Sequence, residues 1–309
     1  MRKDRFVCGV GKTNVDMLYG GMPRVPLEGE EIYAGSFSLQ LGGGYPATLI
    51  NLGRLGVPAR VQTFLGADMF SSFARDQYVL CGVEPMNLYD GDSIPVNLTS
   101  AVITPRDRAF ISYTDPFPIT DAILEAVYTS SLGADVVLID EQFLPIYPDL
   151  KKRGSILVYD TGWRDDMSEE SMKSVLKLTD WYIPNAREAM KVTGASTPQE
   201  AACRLRRYLD VPVVKLDKDG CMLISSGREI LIPACPDIRC IDSTGAGDAF
   251  LAGFVYGLYH KAKPEICAAY GNITGARCVT GMGCLTEWVH EQELLKAVEA
   301  LKNGMRNLG

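Results

Sequence analysis

The stretch CIDSTGAGDAFLAGFVYGL, residues 240–258, decides how the rest of the chain is read. Gly245, Ala246 and Gly247 are small residues set directly before a long apolar-periodic helix. Their N–H groups can therefore sit exposed at the positive end of the helix dipole, an anion hole suited to a transferring phosphoryl group. Asp248 follows in the first turn, where a carboxylate can accept a proton from an attacking hydroxyl while the neighbouring amides hold the phosphate. An Asp in the first turn after a Gly-rich turn is also an ordinary helix start. The core of the motif alone leaves both readings open.

Working outward, from about Arg60 short β-branched runs alternate with helical patterns. RVQTFL precedes a helix over 69–80, VVLID one near 147–152, and ILVYD one over 168–178; WYIP precedes one over 186–192, and VPVVKL closes the series. Such alternation predicts an α/β fold, a mostly parallel sheet layered between helices. Ligands bind at the carboxyl ends of the strands in such sheets, which puts Asp140, Asp160, Asn185 and Asp217 on one rim. Two segments break the pattern. EEIYAGSFSLQ (30–40) and NLTSAVITPRDRAFISYT (97–114) read as alternating strands with no helix between, the second turning at Pro105 to Asp107. One small sheet assembled from both would form a lid of about residues 17–41 and 95–115 on a single domain spanning 1–309. An open lid has an apolar face and free edges, so self-pairing as a homodimer is the economical way to cover it.

Composition narrows the partners. The 309 residues carry a net charge of −7 and no concentrated Lys/Arg stripe beyond Arg204, Arg206 and Arg207, which argues against a nucleic-acid surface and for a small molecule. Nine cysteines are scattered without a Cys-x-x-Cys, there are two histidines, and the opening MRKDRF lacks an apolar leader core, so reduced thiols in a cytoplasmic protein are expected, with no thiolate metal site. No apolar run is long enough to span a membrane. Near the start, VCGVGKTNVD (7–16) ends its glycine-rich turn in Gly-Lys-Thr, as a nucleotide-binding P-loop does. The position where that loop needs its first glycine is Phe6, however, and the apolar run before the turn is too short for both strand and loop. A first strand over 6–10 ending in a polar turn fits better.

Taken together these stretches resemble the ribokinase-like (PfkB) family of carbohydrate kinases, over essentially the whole chain. DSTGAGDAF is similar to its C-terminal signature, with Asp248 in the place of the catalytic base. LGGGYPATLINLGRLG, residues 41–56, resembles its N-terminal signature, and Asn185 and Glu188 in IPNAREA match its Asn-x-x-Glu. MPRVPLEGEE resembles the approach to its lid. The resemblance implies a ribokinase-like three-layer α/β/α core, ATP and Mg²⁺ as cofactors, and a sugar held by Asp16, with Asn14, Gly42 and Gly43 beside it. A carboxylate suits that task because it only accepts and can take two hydroxyl donors. Lys12 and Thr13 are then turn residues.

It further implies a nucleotide side made of Asn185, Lys215, Asp217, Gly220, Gly245, Gly247 and Asn272, with Glu188 holding Mg²⁺ through water. Asp242, Thr244 and the turn at Gly281 to Gly283 fall where the family often binds K⁺. Two departures matter. The Asn often found in the first signature falls on Ala47, and the glycine of Thr-x-Gly before the phosphates falls on Asp217, where a carboxylate repels phosphate unless Mg²⁺ or Lys215 intervenes. Arg108 and Arg164 could each reach an anionic substituent of the sugar. The resulting expectation is an ATP-dependent kinase acting on a primary hydroxyl of a sugar or sugar derivative. Two alternatives stay open: a nucleoside kinase with Tyr45 or Phe110 against the base, and a catalytically weak sugar-binding regulator, suggested by Ala47 and Asp217.

Overall fold

A computed structural model of the protein describes residues 5–306, with side chains through residue 299. The first four residues of the MRKDRF opening lie outside it. The elements run β1 (Val7–Val10), β2 (Asn14–Gly20), β3 (Ser36–Leu41), α1 (Tyr45–Arg54), β4 (Ala59–Thr63), α2 (Met69–Leu80), β5 (Val83–Asn87), β6 (Asn97–Ile103) and β7 (Arg108–Tyr113). They continue α3 (Asp121–Ser131), β8 (Val136–Leu138), α4 (Tyr147–Lys152), β9 (Ile156–Tyr159), α5 (Glu169–Leu178), β10 (Trp181–Tyr182), α6 (Ala186–Thr193), α7 (Pro198–Leu205) and β11 (Val213–Lys215). The last are β12 (Cys221–Ser225), β13 (Arg228–Ile232), α8 (Ala246–Tyr259), α9 (Pro264–Cys278) and α10 (Glu291–Arg306).

The central sheet has the order β10-β9-β8-β1-β4-β5, and every pairing in it is parallel. Strand residues alternate between two apolar clusters. Val7, Val136 and Leu138 pack with α1, α8 and α9, whereas Cys8, Val137 and Ile139 pack with α4 to α7. Both faces of these strands are thus covered, which is why they read as continuous apolar runs rather than as alternating ones. Helix α8 is buried along its whole length from Ala249 to Leu258, as a helix apolar all round must be. The Lys215 amide donates to the Pro184 carbonyl at 2.9 Å, and Asn185 bridges Lys215 in parallel, so the antiparallel sheet β11-β12-β13 carries the central one onward.

The lid is a separate sheet of order β3-β2-β6-β7, parallel between β2 and β6 and antiparallel elsewhere. It differs from the expected lid in two ways. Residues 14–20 form a strand of their own, so Asn14 and Asp16 stand on the lid and not at the end of β1; and the strand expected from Glu31 begins only at Ser36. Three residues, Gly11 to Thr13, are enough to turn from core to lid because Thr13 is anchored. Its hydroxyl bonds those of Thr63 (2.7 Å) and Tyr78 (2.8 Å) in the buried core. Register gives the lid two unlike faces. Asn14, Asp16, Gln40, Asn97, Thr99 and Arg108 share one; Met17, Tyr19, Phe37, Leu39, Val102 and Ile111 share the other.

Candidate active site

The glycines that follow β3 join the two carboxylates singled out in the sequence. A Cβ on Gly42 would lie 2.7 Å from both carboxylate oxygens of Asp16, and one on Gly43 would lie 2.7 Å from Asp248 Oδ2. Only hydrogen fits between this loop and either acid. The Gly44 N–H donates to Asp248 Oδ2 at 3.0 Å, and the Gly43 carbonyl accepts from Asn14 Nδ2 at 2.8 Å. Asn14 is held in turn by Asn97, whose Nδ2 donates to Asn14 Oδ1 at 2.8 Å. Burial pushes the Asp16 carboxyl up to about 6. Burial also pushes Asp248 up to about 7, the Gly44 N–H acting against it, the Asp160 charge adding to it and the Lys215 charge opposing it.

Asp248 lies in the first turn of α8, whose N-cap Gly245 has φ +80, a conformation glycine adopts without strain. The same glycine packs against Cys284, where a Cβ would meet the Cys284 Cα at 2.6 Å. No side chain caps the helix, and the Ala246 N–H turns back to the Ser243 carbonyl at 3.2 Å. Among the described residues no backbone carbonyl takes the amide protons of Gly245 or Gly247, which leaves two donors without a backbone partner at the positive helix end. Of the three small residues expected to form an anion hole, Ala246 is the one whose amide is already engaged.

Lys215, at the end of β11, reaches this hole. Its ammonium is 3.5 Å from where a Cβ of Gly247 would stand and forms an ion pair of 2.9 Å with Asp160 at the end of β9. Asn185 and Glu188 make a reciprocal capping box on α6: Asn185 Oδ1 accepts the Glu188 N–H at 3.0 Å, and Glu188 Oε2 accepts the Asn185 N–H at 2.9 Å. Burial raises the Glu188 carboxyl, the Asn185 N–H and the Lys215 charge opposing it. Asp217 takes φ +58, a left-handed conformation uncommon outside glycine, and is exposed. Gly220 packs under β13, where a Cβ would come within 2.2 Å of the Ile232 carbonyl oxygen. Asn272 does not offer its amide to the cleft; Nδ2 donates to the Ile232 and Pro233 carbonyls, both at 2.9 Å, and ties α9 to β13.

The two arginines expected to meet an anionic substituent are both engaged by carboxylates. Arg164 grips Glu141 with two bonds of 3.1 Å. Arg108, on the cleft face of the lid, bonds Asp242 Oδ1 at 2.6 Å and the Thr244 hydroxyl. Lys12 is nowhere near a phosphate cradle: it donates to Thr114 Oγ1 at 3.0 Å and lies 4.5 Å from the centre of the Phe117 ring. Tyr45 is no slot for a base, since its hydroxyl is 2.8 Å from the carbonyls of both Ile139 and Asp160. Ala47 is fully buried in α1. Sequence reading left out Gly44, Asn97 and the pairing of Asp160 with Lys215. The third glycine before a helix was a usable signal for Gly44; Asn97 and the ion pair depend on contacts across 83 and 55 positions that nothing local announces.

Among the described residues no helix is long and apolar enough to cross a membrane, and no group of three or more acidic, His or Cys side chains is placed to hold a metal. The chain is similar to a sugar kinase of Archaeoglobus fulgidus described as uncharacterized, 31% identical over 36% of this chain and 44% of that protein. It is 28% identical to the aminoimidazole riboside kinase of Salmonella typhimurium over 80% of this chain and 85% of that one. Its fold superposes on Arabidopsis thaliana ribokinase complexed with ribose and ATP with a TM-score of 0.77 at 22% identity, covering 95% of this chain and 98% of the other. Thermotoga maritima ribokinase gives a TM-score of 0.78 at 19% identity, covering 95% and 99%. The model of the pfkB family of carbohydrate kinases matches residues 4–290, and the chain belongs to that family of ATP-dependent kinases.

Proposed function

We propose that this enzyme transfers the γ-phosphoryl group of ATP to a primary hydroxyl of an uncharged sugar or riboside held beneath the lid. The observation that carries the reading is the loop Gly42 to Gly44, which sets a hydroxyl-accepting carboxylate, Asp16, and a half-buried carboxyl raised to about 7, Asp248, on two sides of one cleft. Asp16, with Asn14, accepts hydrogen bonds from hydroxyls of the acceptor and orients it. Asp248 removes the proton from the attacking hydroxyl, and the amides of Gly245 and Gly247 with the Lys215 ammonium stabilise charge on the phosphoryl group in flight. Mg²⁺ would supply charge neutralisation on the ATP phosphates. A site with Glu188 and Asn185, and among the described residues no larger acid cluster, fits an ion held mainly by phosphate oxygens and water.

Both arginine forks near the cleft are neutralised by carboxylates, which favours an uncharged acceptor over a sugar acid. The nucleoside reading keeps one support: Phe110 is 56% exposed on the cleft face of the lid, where a base could stack. We read the chain as one catalytic domain with its own lid, paired through the outer lid face as a homodimer. ATP consumption with neutral sugars, ribosides, nucleosides and sugar acids tests the reading. The expected result is turnover with a neutral sugar or riboside; turnover confined to sugar acids, or none with any of the four, would refute it.

A further inference from the structure

Related kinases often carry a monovalent cation beside the anion hole, and Asp242, Thr244 and the turn at Gly283 stand in that position here. The residues present do not fit one. Asp242 Oδ1 already accepts the Thr244 N–H at 2.9 Å, the Thr244 hydroxyl at 2.7 Å and Arg108 Nη1 at 2.6 Å, while Oδ2 accepts the Gly283 N–H at 2.9 Å. The Thr244 hydroxyl donates to Asp242 and accepts from Arg108, so its oxygen is engaged too. A cation entering this cage would meet a guanidinium at bonding distance, and like charges at such separation repel strongly. Burial alone would raise the Asp242 carboxyl, but the bonds from Thr244 and Gly283 and the Arg108 charge together outweigh it and hold it below the usual carboxylate range.

We propose that the guanidinium of Arg108 takes the place of the monovalent cation, so that the lid itself supplies the charge that fixes the anion-hole loop and phosphoryl transfer needs no K⁺. Thr244 directly precedes the N-cap Gly245, so a charge clamped on Asp242 and Thr244 sets the backbone that aims the Gly245 and Gly247 amides. Arg108 is 134 residues from Asp242 in sequence and stands on the lid face that also carries Asp16. A lid lifted from the cleft would remove that charge, which ties the shape of the hole to the presence of the acceptor. The role assigned to the hole rests on the proposed kinase reading; the occupancy of the cage does not.

The test compares K⁺, Na⁺ and tetramethylammonium at equal ionic strength. Wild-type turnover and wild-type melting temperature are expected to be the same in all three; a K⁺ requirement for turnover, or a melting temperature that rises on K⁺ titration, would overturn the proposal. Arg108→Gln is expected to lose about tenfold or more in kcat in tetramethylammonium and to regain it in K⁺, the cost of one misaimed electrostatic group. Its melting temperature should rise with K⁺ where the wild type's does not, and an Arg108→Gln enzyme with wild-type kcat in tetramethylammonium would count against the assignment. Arg108→Lys, which keeps a charge, should stay cation-independent; a K⁺-dependent Lys variant would show that charge at this position is not what matters. Melting curves need no substrate, so they decide the proposal even where every acceptor fails.

Discussion

A general base works best with a pKa near the working pH, and burial holds Asp248 at about 7. Turnover should therefore rise with pH through neutrality and level off above it. Asp248→Asn should lower kcat by roughly a hundredfold or more with sugar affinity little changed, the usual weight of a positioned base. The same raised carboxyl has a cost to the fold. A carboxyl whose folded pKa lies above its unfolded one, 3.8, costs stability as pH rises toward 7, because over that window the unfolded chain gives up the proton that the folded one still holds. Asp248→Asn should then melt higher than the wild type at pH 8, with the gap narrowing toward pH 5. A variant that is slow but no more stable at pH 8 would mean that the carboxyl is not held near neutrality. Asp16, raised by burial to about 6, should show its effect in binding: the sugar KM should climb below pH 6 as the acceptor-only carboxylate gains a proton.

At the scale of elements, the loop between β3 and α1 separates the two acids, and two alanines can tell them apart. Gly42→Ala drives a methyl against Asp16 and should raise the sugar KM; Gly43→Ala drives one against Asp248 Oδ2 and should lower kcat. Equal losses in both parameters from both variants would mean that the loop acts only as a packed unit. Much of this scale was legible in the sequence. The parallel sheet followed from β-branched runs alternating with helices, and α8 from small residues before an apolar run. Strand β2 was not legible, because NVDMLYG follows β1 after three residues, and so short a turn is permitted only by the burial of Thr13. Nor was the fate of the arginines. Arg108 and Arg164 read as free forks, and only folding brings Asp242 and Glu141 to them. For Asp217 the sequence raised an electrostatic conflict, and the structure shows the residue exposed on a left-handed turn.

At the scale of the whole molecule, the lid poses a problem that one chain does not solve. Its cleft face is polar apart from Phe110, and its other face carries Phe37 at 59%, Ile111 at 76% and Tyr113 at 49% exposure, with β3 and β7 at its edges. Exposed apolar side chains gathered on one sheet face are a liability in water, and unpaired edges invite another strand. The same face of a second copy would cover both, giving an isologous pair in which each lid steadies the other over its cleft. Steady lids matter to the chemistry, because water that reaches the γ-phosphate can take it in place of the acceptor. Ile111→Asp puts a charge where the isolated fold buries nothing, so it should leave the melting of the core unchanged while splitting the pair. The expected result is monomers by light scattering, a raised sugar KM and a larger share of ATP hydrolysed without transfer. If the unsubstituted protein already scatters as a monomer at micromolar concentration, the pairing is wrong. The lid must then be steadied within its own chain, where the ion pair from Arg108 to Asp242 and the bond from Gln40 to the Met282 carbonyl tie it to the core.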